Sequence, residues 1–184
     1  SAIELSSYGY IEEEYFIEGI ANQYTTQGLE TGQVIDGGHR YLSRLIVRRP
    51  QEENFNGVVI IEWINVTGGP DKDIDWWYSG SHFVRNGYAY IAVSAQQLGI
   101  NTIKEWSPQR YSRLDITHDG MVGGDSLSYD IFSAVGKAVN RTGQTTPDGK
   151  VDILNGLKAE LIIATGHSQS ASRLAVYLNN IHPL

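Results

Sequence analysis

Two stretches near the start of the chain alternate apolar with polar residues, and three later ones are almost wholly apolar. Tyr10–Ala21 interleaves aromatic and β-branched residues with Glu, and Tyr41–Arg48 does the same with Arg, so both read as strands half-exposed to water. Gln27–Gly38 between them is rich in Gly and Thr and reads as turns, and Pro50 ends the second strand. Val58–Ile64 is a nearly unbroken apolar run, the pattern of a strand buried on both faces. Tyr88–Ser94 and Glu160–Thr165 repeat it.

Helical spacing separates these runs. Trp76–Asn86 is predicted helical, opened by Asp73 and Asp75, whose charge suits a helix N-terminus, and stopped at Gly87. Leu127, Ile131, Phe132, Val135 and Val139 predict a helix over Ser126–Asn140. Ala95–Gly124 is an excursion of weak periodicity, Pro147-Asp148-Gly149 marks a turn, and a last helix is predicted from Ser170 to Asn179. Strand and helix alternating three times predict an α/β fold: a mostly parallel sheet with helices on both faces and antiparallel strands in front. Ligands of such sheets sit at the carboxyl ends of the strands, which directs attention to loops beginning at Asn65, Ala95 and Gly166.

Composition narrows the function classes. The net charge of −7, with Arg48-Arg49 as the densest basic spot, argues against a nucleic-acid or anionic-membrane partner. The absence of cysteine removes disulfides, thiolate metal sites and Cys nucleophiles. The apolar runs are too short for a membrane span, and location stays open between secreted, periplasmic and cytoplasmic.

The chemistry concentrates in Gly166-His167-Ser168-Gln169-Ser170-Ala171, between a buried strand and a helix. A nucleophile elbow needs this placement: a strained serine whose hydroxyl stands above the sheet, flanked by small residues because strand and helix nearly touch. Ser168 is the candidate nucleophile, with Ser170 where a second glycine is usual. The competing reading is a helix N-cap serine in a nucleotide-binding fold, against which stands the lack of a Gly-rich phosphate loop. An oxyanion hole would take one N–H from Gln169 and another from Val66 or Thr67 in the Gly-rich loop Asn65-Val66-Thr67-Gly68-Gly69. The bland reading of that loop is a flexible connection, and Asn65-Val66-Thr67 and Asn140-Arg141-Thr142 are also glycosylation sequons.

Other polar residues compete for roles. Trp76, Trp77, Trp106 and Tyr111 are candidates to floor an acyl pocket or to pack the core. His118 is a candidate for the pocket wall or the base. His167 should point away from the nucleophile, and His182 lies 14 positions past Ser168, which along a helix is roughly 20 Å. Asp71, Asp73 and Asp75 alternate like metal ligands, but Trp76-Trp77 stands where a calcium loop needs its glycine turn. Neither a metal nor a cofactor is expected.

The runs Glu62–Gly69, Ala92–Gln96, Ser128–Phe132 and the elbow, in this order, resemble the bacterial "α/β hydrolase domain-containing" family, whose members carry a G-x-S-Q-S-A elbow. The resemblance covers about Tyr8 to Leu184. It implies an α/β-hydrolase fold, serine esterase chemistry on a small-molecule ester, Ser168 as nucleophile and Asn65–Gly69 as oxyanion loop. The triad acid and histidine of that fold follow the nucleophile on later strands. Only Asn180–Leu184 follow the last predicted helix, so residues 1–184 are expected to be the N-terminal part of one such domain. The chain alone should be inactive, its third buried strand carrying an unpaired edge that associates with a missing segment or another copy. A non-catalytic α/β-hydrolase-like binding or structural domain is the alternative from another class.

Overall fold

The computed structural model describes residues 3–26, 30–140 and 151–183. The predicted turn at Pro147-Asp148-Gly149 lies outside them, as do Arg141 and Thr142 of the second sequon. The described strands form a five-stranded sheet: β1 (Tyr10–Tyr24), β2 (Val34–Pro50), β3 (Val58–Trp63), β4 (Ala89–Ser94) and β5 (Leu161–Gly166), in the order β1-β2-β4-β3-β5. β1 and β2 pair antiparallel with each other, and β2 antiparallel with β4. β4, β3 and β5 run parallel. The sheet is therefore mixed, as the two sequence rhythms predict.

Val34–Gly38, read as turns, belong instead to β2. They lie in an exposed arm, where pairing with β1 as far as Val34↔Tyr24 holds Asp36, Gly37 and Gly38, of poor strand propensity, in the strand. The excursion after β4 also holds more structure than its weak periodicity suggests. α2 (Gln97–Trp106) and α3 (Pro108–Tyr111) form there. α2 buries only Gly99, Ile100 and Ile103, a stripe too narrow to dominate the pattern, while Pro108 occupies the first turn of α3 as proline prefers.

Helices cover both faces. α1 (Ile74–Arg85) packs Trp76 and Val84 against Tyr10, Ile60, Ile64 and Tyr90. α4 (Ser128–Asn140) and α5 (Gln169–Val176) share the opposite, larger core, where Trp63 stacks on Phe132 at 4.8 Å between centroids and Leu174 joins Ile131 and Val135. α5 is followed directly by a π-turn, Tyr177–Ile181.

The start of α1 corrects one expectation. Asp73 makes no side-chain cap hydrogen bond and pairs with Arg48 instead. The cap comes from β3: both oxygens of fully buried Glu62 accept the Asp75 N–H at 3.1 Å, and one accepts the Trp76 N–H at 3.4 Å. The Tyr90 hydroxyl donates to the same carboxylate. A strand carboxylate thus meets the positive end of a helix. Among the described residues no helix is long and apolar enough to cross a membrane.

Candidate active site

The parallel strands end side by side, with Trp63 opposite Gly166, so the loops after β3 and β5 emerge as neighbours. Ser168 sits at the junction of β5 and α5 with φ 54° and ψ −111°, a conformation that costs a non-glycine residue energy. Gly166 permits the sharp reversal: a Cβ there would lie 3.0 Å from the Ser170 carbonyl carbon and 3.1 Å from the Ala171 nitrogen. Ser170, fully buried, accepts the His167 N–H at 3.0 Å on its hydroxyl and donates back to the His167 carbonyl at 3.1 Å. The residue in the usual second-glycine position thus pins the turn.

The loop after β3 folds back on itself. Asn65 and Lys72 exchange backbone hydrogen bonds of 3.1 and 2.9 Å, with Gly68 and Gly69 at positive φ between them. The buried Asn65 side chain donates to the His167 carbonyl at 2.7 Å and accepts the Thr67 N–H at 2.8 Å. This excludes the first sequon as a glycosylation site in the folded protein, because both ends of the amide are used. It also takes Thr67 off the list of oxyanion donors, since its N–H is spent on Asn65. The N–H groups of Val66 and Gln169 have no acceptor among the described residues.

The other candidates disperse. Trp76 is 7 % exposed and belongs to the α1 core under the Arg48 guanidinium, 4.4 Å from its ring. Trp77, 55 % exposed, has a surface position. Tyr111 is buried, gives its hydroxyl to Glu14 at 2.8 Å and packs on Phe16 and Trp106 beside β1. Neither Trp76 nor Tyr111 lines a pocket at Ser168. His118 turns to His39 of β2, Nδ1 to Nδ1 at 3.1 Å, on a strand that β4 and β3 separate from β5. That makes it neither base nor pocket wall here. His167 points from the elbow over α1, stacked on Tyr78 and 3.8 Å from the Asp75 carboxylate, and His182 stacks on Tyr177. None of the hydrogen bonds among the described residues involves the Ser168 hydroxyl.

Asp71, Asp73 and Asp75 diverge to Ser94, Arg48 and Thr165, and the described residues hold no group of three ligands able to bind a metal. Asp71 and Asp73 instead help line a cavity of about 340 Å³, with Arg44, Arg48, Ile64 and Trp106. Ser168 is not among the residues that line it, and its charges neutralise one another: Arg44 pairs with Glu14 and Asp71, Arg48 with Glu12 and Asp73. Burial pushes the Asp71 carboxyl above its ordinary value, against the pull of Ser94 and Arg44.

Sequence reasoning passed over two groups that matter locally. Glu62 is the one charged residue within an apolar strand, which signals a buried carboxyl held by hydrogen-bond donors; burial raises its pKa to about 7. Asp125 accepts the Gln97 N–H at 2.8 Å, the Gln96 side chain at 3.0 Å and Arg173 of α5 at 2.9 Å, tying the loop after β4 to the helix that follows Ser168. No sequence signal pointed to it.

The family model described as alpha/beta hydrolase domain matches residues 1–184. Comparison with curated proteins and with solved structures returned no match. The strand order, the helices on both faces and the match along the whole sequence agree, and the chain belongs to the alpha/beta hydrolase domain family.

Proposed function

We propose that the protein is a serine hydrolase that cleaves small carboxylic esters through an acyl-enzyme on Ser168. The observation carrying this reading is the strained Ser168 at the β5–α5 junction, followed by the Gln169 N–H, which lacks an acceptor among the described residues, as does the Val66 N–H in the loop that Asn65 joins to the elbow. Folded chains rarely leave such strain without use. Ser168 Oγ attacks the ester carbonyl carbon and its proton passes to a general base. The carbonyl oxygen becomes an oxyanion facing the two N–H groups. Collapse expels the alcohol with that proton, and water then releases the acid by the same route.

None of the five histidines makes a hydrogen bond to the Ser168 hydroxyl, and their rings and nitrogens have the other partners given above. That same fact favours a second reading, a non-catalytic domain that keeps the elbow as architecture. Hydrolysis of p-nitrophenyl acetate by the full-length protein and its Ser168→Ala variant separates them. The esterase reading expects loss of turnover by about 10⁴-fold or more. Equal rates in the two proteins would reject it.

A further inference from the structure

We propose that Asn65 is a positioning residue for the oxyanion hole, its side-chain amide holding the Val66 N–H at a set distance from the Gln169 N–H. The proposal rests on the serine-hydrolase reading and adds a residue that reading does not use. β3 and β5 are adjacent, about 4.8 Å apart, so the chains leaving Trp63 and Gly166 run together for only a residue or two. At that point the Asn65 amide joins them. Nδ2 donates to the carbonyl of His167, the residue before the nucleophile, at 2.7 Å. Oδ1 accepts the N–H of Thr67, the residue after the proposed donor, at 2.8 Å.

Val66 is therefore held between two fixed points. On one side the Asn65 backbone is paired to Lys72 in both directions; on the other the Thr67 N–H is bound and the Lys72 ammonium donates to the Thr67 carbonyl at 2.9 Å. The His167 carbonyl is itself fixed to Ser170, whose N–H donates to it at 3.2 Å. One planar group thus spans from the elbow to the loop. The pairing needs a donor toward a carbonyl and an acceptor toward an N–H, at the length of a four-atom side chain. Asp lacks the donor, Ser and Ala are too short, and Gln is too long for the local turn.

Removing an oxyanion donor outright costs about 10²–10³ in kcat, so loosening one is expected to cost about 10–100-fold. The experiment uses the full-length protein with Asn65→Ala and Asn65→Asp, p-nitrophenyl acetate as substrate and a trifluoromethyl ketone as transition-state analogue. We expect kcat to fall about 10–100-fold with KM within about twofold, and ketone affinity to fall by the same factor as kcat/KM. In Asn65→Asp the ratio of variant to wild-type kcat should rise as pH is lowered, because the introduced carboxyl, once protonated, again offers a donor to His167. A structural role would lower the melting temperature without that recovery. Folded Asn65→Asp with wild-type kcat, a loss confined to KM, or a pH-independent loss overturns the proposal; so does failure of both variants to fold, which would make Asn65 a stability residue. Labelling with a fluorophosphonate keeps the two failures apart. An unlabelled wild-type Ser168 sinks the hydrolase reading, whereas a labelled one with unaffected Asn65 variants sinks only the positioning role.

Discussion

Gly166 and Glu62 show how differently two residues of one fold announce themselves. Gly166 was legible because its constraint is local: the residues it would clash with, Ser170 and Ala171, lie four and five positions on in the same motif. Gly166→Ala forces that contact and is expected to cost about 1–3 kcal/mol, read from urea unfolding. Glu62 was passed over, and the bond that the Asn65 side chain makes from the candidate loop was not foreseen, because their partners, on α1 and at His167, lie 13 and 102 positions away. Glu62 carries a pH signature. Its carboxyl titrates near 4.5 when unfolded and is raised to about 7 in the fold. Between those values the folded chain keeps a proton that the unfolded chain has lost, so stability falls as pH rises through the window and is level on either side. The drop should approach about 3 kcal/mol at 1.36 kcal/mol per unit, and Glu62→Gln should flatten it in melts at pH 4.5 and 7.5. An unchanged slope in the variant would contradict the assignment.

At the scale of elements, β3, β4 and β5 were legible from apolar runs that parallel strands require, and their ends moved by a residue or so. The arm of β2 before His39 and the helix α2 were not, because pairing and a narrow buried stripe set them rather than their own composition. α5 follows directly on Ser168, and Asp125 anchors it. Asp125→Ala strands the Gln97 N–H, the Gln96 amide and the part-exposed Arg173 together. A loss of about 1–3 kcal/mol is expected in thermal or urea unfolding. A melt within 0.5 °C of wild type would show that the tether is idle.

For the whole molecule, the sheet's last described strand is also the one that delivers the candidate nucleophile. β5 pairs with β3 on one side only, among the described residues, and Leu161 and Ile163 are 52 % and 41 % exposed. An apolar strand edge of this kind recruits another strand. The protein is expected to associate with rising concentration in sedimentation velocity, and a monodisperse monomer at about 100 μM would count against that expectation. The central claim, however, is the chemistry of one hydroxyl. Its most direct test is to treat the full-length protein with a fluorophosphonate, digest it and map the adduct by mass spectrometry. The account predicts a single stoichiometric adduct on Ser168 that Ser168→Ala abolishes; an unmodified Ser168 peptide, or an adduct elsewhere that survives the substitution, would contradict it.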